Sequence, residues 1–486
     1  MDRLVPLFVA IPLGVAFVIP MVSRRLRWVP DLLGNLTLFV LAALSFAAAG
    51  HEVIYHMGAW PTPLGVDLRL DGLSALLLIA INVIGLAATL FSVSYLELYT
   101  SKFRYYSLFL FMVAGMNGTV LSGDLFNIFV FMEITAIASY ALVAFGCEHE
   151  ELEAAFKYAV LGSVASTFVL IGVALVYGMT GTLNLSHMAA KLAGMEAGSP
   201  IRFALALFIG GFGLKAALVP FHAWLPDAHP SAPAPVSAML SGVMIKATGV
   251  YVIARLLFNV FGITPDLLLI LRWLGLISMV GGVLLAVGQW DMKRLFAYHS
   301  ISQIGYVVLG LGLGTPLGIA GGLYHLINHS AFKSLLFLNA GSVEYATGTR
   351  DLKRLGGLNR LMPVTGATSM VASMSIAGIP PFNGFFSKLI IILACVQAGH
   401  QGLAAWAVFV SLMTLASFLK VQKYAFFESF KGAWQDIRRV PVPMGAAMIL
   451  LAVCCLAMSL WVIGGLDKPL LVETATQALT GGVFGL

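Results

Sequence analysis

The chain has 486 residues, of which 59% are hydrophobic and only 10% are charged, and its formal net charge is +6. Soluble globular proteins carry about 25% charged residues, so this composition excludes that class and predicts a membrane protein. Lys and Arg in the loops between spans account for the positive charge, so no nucleic-acid partner is expected.

Apolar segments recur along the whole chain, and roughly 20 apolar residues suffice to cross a bilayer as a helix. The sequence predicts about fourteen such spans: 4–22, 30–49, 73–96, 106–122, 124–146, 156–178, 201–225, 234–258, 267–288, 294–314, 317–341, 362–397, 402–427 and 442–465. The polar stretches between them are short. We therefore expect an all-α polytopic membrane protein in which residues 1–486 form a single bundle, with lipid around it.

The distribution of basic residues predicts the orientation of the chain. With loops numbered by the spans they join, odd-numbered loops hold 16 Lys and Arg residues, whereas even-numbered loops and the termini hold six. The positive-inside rule therefore places the odd loops in the cytoplasm and both termini on the non-cytoplasmic side of the cell (inner) membrane. The run 4–22 is followed rather than preceded by most of its basic residues, so we expect a retained span and not a signal peptide.

Two of the predicted spans are interrupted by proline. Lys215 lies in an apolar run that Pro220 breaks, and Pro380 and Pro381 break a second run shortly before Lys388. Proline removes a helical hydrogen bond and clashes with the preceding turn. Such backbone is tolerated at membrane depth only when it is packed in protein or lines a watery cavity. These two segments are therefore predicted to be broken helices that serve transport.

The two breaks also indicate an internal repeat. The pattern Pro-Phe-polar-small-aromatic begins at Pro220 and recurs 161 residues later at Pro381. Matching broken spans in two halves of a transporter point to inverted repeats. We expect the repeats to be 106–258, which contains spans four to eight, and 267–427, which contains spans nine to thirteen. Because each unit has five spans, the second is inserted upside down relative to the first.

Three ionisable residues of the first repeat are predicted to be buried. Glu133 has apolar neighbours on both sides, and Lys215 and Lys246 lie in consecutive spans. Burial disfavours a charged form, whereas a nearby opposite charge favours it, so Glu133 could act as a proton gate. It could instead form a fixed ion pair that holds two helices together. Intramembrane ionisable residues are functional by default, which favours proton transfer for all three residues.

A polar stripe is predicted on one helix of the second repeat. His325, His329 and Lys333 recur at every fourth residue and therefore line one helix face. Histidine titrates near physiological pH, so the stripe is typical of a proton relay. Structural hydrogen bonding and a metal pair remain alternatives, although the spacing lacks the glutamate of H-E-x-x-H and a third ligand. His222 and His299 are further relay candidates.

The remaining polar residues have simpler predicted roles. Lys388 is the candidate last carrier before release, with extension of its side chain to the membrane surface as the alternative. Lys420 and Arg255 lie nearer span ends and are interpreted as interface residues. Asp124 is a predicted N-cap of the fifth span. The four cysteines include no C-x-x-C pair and no nucleotide-binding glycine loop is found, so no metal or cofactor is expected.

Together these motifs resemble the antiporter-like subunits shared by respiratory complex I, Mrp-type cation/proton antiporters and group 4 membrane-bound hydrogenases. The matching stretches run from Asp124 through Glu133 to Tyr140, from Glu153 to Tyr158, from Lys215 to His229, at Lys246, from Trp290 to Tyr306, from His325 to Lys333, and from Gly378 to Lys388. The resemblance implies fourteen helices with two inverted five-helix repeats. It also implies a proton path in which Glu133 pairs with Lys215, Lys246 connects, His325 and His329 relay, and Lys388 is the exit.

The leading functional hypothesis is a proton-translocating subunit of a larger membrane complex, driven by redox chemistry elsewhere or by exchange against Na⁺. Its partners would be other membrane subunits of a respiratory, hydrogenase or Mrp-type complex. No catalytic or redox site is expected in this chain. Two alternatives remain open: a free-standing secondary transporter of a small solute, and a membrane anchor whose buried charges only set helix packing.

Overall fold

The computed structural model describes residues 1–23, 26, 28–99, 101–195, 198–429 and 437–484. Four basic residues that enter the predicted orientation lie outside the described residues: Arg24, Arg25, Arg27 and Lys431. The described ranges are almost entirely helical and many of the helices are apolar, which confirms the predicted all-α membrane class.

The first part of the chain consists of three long helices and one short hairpin: α1 (Leu7–Val22), α2 (Val29–Ala48), β1 (Val53–His56), β2 (Asp67–Leu70) and α3 (Gly72–Tyr95). The hairpin is antiparallel, with Val53 opposite Leu70, and occupies a stretch for which the sequence predicts only a polar loop. Asp71 follows β2 directly and caps α3, because its carboxylate accepts hydrogen bonds from the backbone N–H groups of Leu73 and Ser74.

The next part contains the first broken helix: α4 (Lys102–Leu121), α5 (Leu125–Val143), α6 (His149–Thr180), α7 (Leu185–Ala193), α8 (Ser199–Lys215), α9 (Leu225–Ser231), α10 (Ala234–Met239) and α11 (Tyr251–Asn259). Between α10 and α11 the helix continues with wider π-helical turns, Leu240–Met244 and Lys246–Val250. The predicted cap at Asp124 is confirmed, since its carboxylate accepts from the N–H of Asn127 at 2.9 Å.

The last part contains the second broken helix: α12 (Pro265–Val287), α13 (Met292–Gly312), α14 (Pro316–Thr347), α15 (Leu358–Leu361), α16 (Pro363–Ala377), α17 (Asn383–Gln397), α18 (Gln401–Val421), α19 (Val442–Ser459) and α20 (Val472–Thr480). Helix α18 continues into a π-helical turn, Gln422–Phe427. Both predicted interruptions are present, because α8 ends before Pro220 and α16 ends before Pro380 and Pro381.

Nine helices of the described part are long and apolar enough to cross a bilayer. The five other predicted spans correspond to α4, α13, α14 and the two broken helices. The broken segments are individually too short, whereas α13 and α14 carry many polar side chains. The number of fourteen spans therefore stays a prediction. Helix α14 is buried along almost its whole length and packs against α3, α10, α13, α16, α17 and α19, so its polar stripe lies at the centre of the bundle.

A set of backbone contacts occurs twice in the fold. At the start of α5, the N–H of Leu125 donates to Leu183 and the N–H of Leu185 donates to Gly123. At the start of α13, Met292 donates to Arg350 and Leu352 donates to Trp290. The second copy lies 167 residues after the first: Asp124 bridges to Asn184 in the first copy, and Asp291 bridges to Asp351 in the second. In each copy, a helix of 32 residues leads to the second contact segment: α6 in the first copy and α14 in the second. Each of these helices is capped by a glycine with positive φ, Gly181 or Gly348.

Two basic residues lie deeper than the sequence predicts. Arg255 is not an interface residue: it is 2% exposed and pairs with Asp71 at 2.8 Å. Burial raises the pKa of Asp71, but the guanidinium of Arg255 outweighs this and holds the pKa below its ordinary value. Lys293, predicted to lie in a cytoplasmic loop, is buried against Glu344 at 3.1 Å. Neither acidic partner is close in sequence, so a count of charges at span ends could not reveal these pairs.

Candidate functional site

An ion pair between α5 and α8, formed by Glu133 and Lys215, is the first cluster of the site. The ammonium of Lys215 lies 3.3 Å from Oε1 of Glu133, and the hydroxyl of Ser166 on α6 donates to the same oxygen at 2.5 Å. The lysine side chain is 5% exposed, whereas that of Glu133 is 28% exposed. A buried pair survives only when hydrogen bonds satisfy its remaining atoms, and Ser166 supplies one of them.

The break after Lys215 is supported by side chains from other segments. The indole N–H of Trp224 donates to the carbonyl of Leu214 at 2.9 Å, and Ser278 accepts from the N–H of Val219 at 2.9 Å. These contacts provide hydrogen-bond partners for backbone groups in the interrupted segment. Lys215 occupies the last turn of α8, where the helix dipole favours a positive charge. The break thus places a cation at a helix C-terminus inside the protein.

Lys246 lies in the π-helical stretch and is completely buried. Its ammonium donates to two carbonyls of its own helix, Ser241 at 2.7 Å and Gly242 at 2.6 Å. The same helix closely approaches the end of α8, since a Cβ added to Gly249 would lie 2.6 Å from the backbone nitrogen of Ala216. Snorkelling to the membrane surface is therefore excluded for Lys246, and its charge must be accommodated inside the bundle.

A chain of hydrogen bonds joins the helix of Lys246 to Lys333. The hydroxyls of Ser241 and Ser300 lie 2.6 Å apart, and Ser300 also donates to the carbonyl of Phe296 at 3.1 Å. The ammonium of Lys333 donates to that same carbonyl and lies over the ring of Phe296. The chain reaches Lys333 through Ser300 and the carbonyl of Phe296, but it is interrupted at Ser241, because Lys246 bonds the backbone carbonyl of that residue and not its hydroxyl.

The histidine stripe leads from this region toward α17. The rings of His329 and His325 stack with centroids 6.3 Å apart. Nδ1 of His325 lies 2.9 Å from the hydroxyl of Ser387, and its Nε2 lies 3.1 Å from Oε1 of Gln303. Ser387 is the neighbour of Lys388 in the chain, so the stripe ends beside the second broken helix.

Lys388 supports that second break. Its ammonium donates to the carbonyl of Ile376 at 2.7 Å and lies 3.4 Å from the hydroxyl of Ser411, which donates to the carbonyl of Ala377 at 3.0 Å. Both carbonyls belong to the last turn of α16, where helical donors are missing. Lys388 is buried, which excludes extension to the membrane surface, and it combines a structural contact with a position at the end of the stripe.

The other histidines differ in their surroundings. His299 is buried against Phe418, with ring centroids 4.9 Å apart, and lies within electrostatic range of Lys333 and Lys388, so it belongs to the cluster. His222 is only partly buried in the first break, and no described contact joins it to the other candidate residues. His229, which is fully buried, is not among the residues predicted from the sequence; its position between the prolines of a broken helix was the available signal.

The structure therefore brings the predicted residues together in two groups. Glu133 and Lys215 form one, and Lys246, Lys333, the buried histidines and Lys388 form the other. Within the described residues, no hydrogen bond connects Lys215 directly to Lys246. The arrangement offers ionisable and hydroxyl groups at intervals across the bundle, which suits stepwise transfer of protons between side chains and bridging water.

Comparison with known proteins agrees with this geometry. The family model described as NADH:quinone oxidoreductase/Mrp antiporter, TM, matches residues 122–414, the part that contains all of the site. The D subunit of the Na(+)/H(+) antiporter of Alkalihalophilus pseudofirmus is 38% identical over 398 residues, covering 81% of this chain and 80% of that protein. The N subunit of the NADH-quinone oxidoreductase of Desulforudis audaxviator is 35% identical over 494 residues, covering 97% of this chain and 98% of that protein.

A solved structure shows the same fold along the whole chain. One chain in the structure of the Mrp complex from Dietzia sp. DQ12-45-1b has 32% sequence identity and a TM-score of 0.91. The match covers 99% of this chain and 97% of that chain. The likeness therefore extends beyond the site to the flanking helices at both ends.

Proposed function

The chain belongs to the NADH:quinone oxidoreductase/Mrp antiporter membrane family, and from this premise we propose that it is a proton-translocating, antiporter-like subunit of a multi-subunit membrane complex. Membership confirms the resemblance found in the sequence. The observation that carries the proposal is the ion pair of the buried Lys215 with the partly exposed Glu133 at a helix break. Ionisable residues within membrane-spanning segments cost free energy, and those that are retained usually have a functional role.

The proposed path passes from Glu133 and Lys215 to Lys246 and Lys333, then through His329 and His325 to Lys388, with His299 at its side. The serine link from Ser241 to Ser300 supports the middle of this path, and the contact of His325 with Ser387 supports its end. The gap between Lys215 and Lys246 requires water or a movement of the broken helix. His222 has less support as a relay residue, because it is partly exposed and separate from the cluster.

The two structural units are proposed to be 106–258 and 267–427, inverted relative to each other. The contacts that recur at an interval of 167 residues support this division. The interval of 161 between Pro220 and Pro381 is shorter, so the second unit has six fewer residues between its matching contacts and its break. A repeated unit explains why each half contains one broken helix with a buried lysine beside it.

The proposed orientation places the odd-numbered loops in the cytoplasm and both termini on the opposite side of the cell (inner) membrane. Contacts between odd loops and adjoining segments support their position on one common face. Asp227 lies 3.1 Å from Lys157 and 3.6 Å from Arg294, and Arg350 lies 2.5 Å from Asp291. The positive-inside rule supplies the choice between the two sides.

Other membrane subunits are the proposed partners, and H⁺, with Na⁺ as a candidate counter-ion, is the proposed cargo. The relatives are a Na(+)/H(+) antiporter subunit and a chain of an Mrp complex, which supports an assembly of this kind. Glu133 supports it independently, because its side chain is 28% exposed on a protein embedded in lipid. A carboxylate facing acyl chains would be strongly unfavourable, so a neighbouring subunit is expected to cover it.

Replacing Lys215 by Ala in the intact complex tests the function. We expect the complex to assemble and its proton flux in liposomes to fall to the background of empty vesicles. Normal assembly with full flux would instead identify the buried charges as packing elements and the chain as a membrane anchor. Solute transport by the purified single chain, without partners, would favour a free-standing transporter.

A further inference from the structure

A cavity of about 610 Å³ lies between the first turns of α16 and α19. Its lining is mostly apolar, and its polar side chains are those of Arg438, Arg439 and Thr365. The two helices stand side by side at this place, since a Cβ added to Gly445 would lie 3.9 Å from the side chain of Val364. None of these residues belongs to the proposed proton path.

The cavity lies where the chain enters the membrane. Helix α16 begins at Pro363 and α19 begins at Val442, and α19 is long and apolar enough to cross a bilayer. A spanning helix starts near the boundary between lipid headgroups and hydrocarbon. Arg438 and Arg439, which precede α19, therefore lie at the level of the headgroups, whereas the cavity residues within α19 lie at the level of the acyl chains.

The polar end of the cavity is positively charged. Arg438 and Arg439 are exposed, and within the described part of the chain neither pairs with a carboxylate. Their segment is held in place because the backbone N–H of Arg438 donates to the carbonyl of Ala346 at 3.0 Å. Helices α16 and α19 both begin here without a side-chain cap. The positive ends of two helix dipoles thus add to the charge of two guanidinium groups, which favours an anion.

Thr365 adds a buried hydroxyl to this end of the cavity. The residue is 1% exposed, lies in the first turn of α16 and lines the cavity. Its hydroxyl makes no hydrogen bond to any other described residue, whereas that of Thr368, one turn further, donates to the carbonyl of Val364 at 2.9 Å. Buried polar side chains almost always have a partner, so the cavity is expected to hold a hydrogen-bond acceptor. The oxygens of a phosphate group would serve.

An apolar stripe leads from the cavity along the outer face of α19. Val442, Ile449 and Val453 are 85%, 48% and 56% exposed, and the exposed Ala446 lies between them. Intervals of three and four residues place these side chains on one face of the helix. The helix rises by about 16 Å from Val442 to Val453, which is about half of the 30 Å hydrocarbon core. The stripe therefore has the length of the acyl region of one leaflet.

We propose that this cavity binds an anionic phospholipid. Its phosphate lies between Arg438, Arg439 and the starts of α16 and α19, and one acyl chain follows the stripe on α19. Basic pockets between transmembrane helices recognise anionic headgroups in this way. A free phosphate ion would leave the apolar stripe uncovered, and an apolar helix of a partner subunit would leave the two arginines unpaired. A lipid satisfies both ends of the site, and the inference does not depend on the proposed proton path.

The test uses the intact complex in a non-ionic detergent and phosphatidylglycerol that carries a photoreactive group on one acyl chain. We expect light to attach this lipid to α19 between Val442 and Val453. Unlabelled phosphatidylglycerol should compete, whereas phosphatidylcholine and inorganic phosphate should not.

Two variants separate the two ends of the site. The double variant Arg438→Gln/Arg439→Gln should need about 25-fold more phosphatidylglycerol for the same labelling, because each basic residue near the headgroup contributes about fivefold. Gly445→Leu fills the cavity but keeps both arginines, and it should abolish the labelling of α19. Arg104→Gln/Arg354→Gln is the matched control, since both of these arginines are exposed and neither lines the cavity; its labelling should equal that of the wild type.

Equal competition by phosphatidylcholine would overturn the proposal, because the cavity would then hold lipid without recognising its charge. Competition by inorganic phosphate would assign the site to a free anion. Absence of labelling in the wild-type complex would assign the cavity to a helix of a partner subunit. Unchanged labelling in the double arginine variant or in Gly445→Leu would refute the proposal as well. If the arginine variant does not assemble, Gly445→Leu and the competition experiments decide.

Discussion

Removing the charge of Glu133 while keeping its shape perturbs the first cluster most directly. In Glu133→Gln the amide can still accept from Ser166, but it no longer balances the ammonium of Lys215 at 3.3 Å. Coulomb's law gives about 5 kcal/mol for unit charges at this distance and an effective dielectric constant of about 20. Desolvation opposes part of this attraction, which leaves about 3 kcal/mol. That energy corresponds to roughly a 100-fold change in rate.

We therefore expect the Glu133→Gln complex to assemble and to carry protons roughly 100-fold more slowly than the wild type. The assay is the initial rate of proton flux in liposomes, followed with a pH-sensitive dye and normalised to recovered complex. Glu473→Gln is the matched control, because Glu473 forms an exposed pair with Lys468 at 3.6 Å, and such pairs contribute little. A Glu133→Gln complex that keeps more than half of the wild-type flux would refute the assigned coupling.

Three further predictions follow from contacts outside this pair. Arg255→Met leaves Asp71 buried without its partner and should destabilise the protein by about 3–5 kcal/mol, visible as a lower melting temperature; no change would contradict the pair's importance. The pKa of Asp71 in the folded state lies below that of a free aspartate. The stabilisation by the pair is therefore fully present above the pKa of a free aspartate and is lost as the pH falls through the lower folded-state pKa. Melting temperatures recorded at decreasing pH should show this loss. Gly249→Ala should destabilise by about 1–3 kcal/mol through its clash with Ala216, whereas unchanged stability would mean that α8 can move aside.

The sequence could predict which residues are ionisable and deep, because composition and proline placement are local signals. Lys215, Lys246 and the stripe from His325 to Lys333 lie inside the bundle as expected, whereas the side chain of Glu133 is 28% exposed. Their roles in proton transfer stay predictions. Both helix breaks were also predictable from Pro220 and from Pro380 and Pro381, although proline alone does not decide the outcome, because α1 continues through Pro12 and Pro20.

What the sequence could not predict are the long-range partners. The prediction of Arg255 as an interface residue was wrong because its partner Asp71 lies 184 residues away. Lys293 lies in the first turn of α13, and its burial was not predicted because its partner Glu344 is also distant in sequence. His229 carries no local signal as strong as the stripe, because only tertiary packing brings its ring centroid to 5.8 Å from that of Phe337 on α14. Spatial neighbours, rather than intrinsic preferences, decide these cases.

The wide helical turns around Lys246 have a consequence for dynamics. The ammonium satisfies the carbonyls of Ser241 and Gly242, which amide groups of a regular α-helix would otherwise bind. When that side chain loses its proton, these oxygens lose part of their compensation, and tighter winding becomes more favourable. Each protonation cycle would then twist the segment leading to Tyr251, so that local helix pitch reports charge state. Isotope-edited infrared spectra of the carbonyls at 241 and 242 should shift with pH if this mechanical linkage exists.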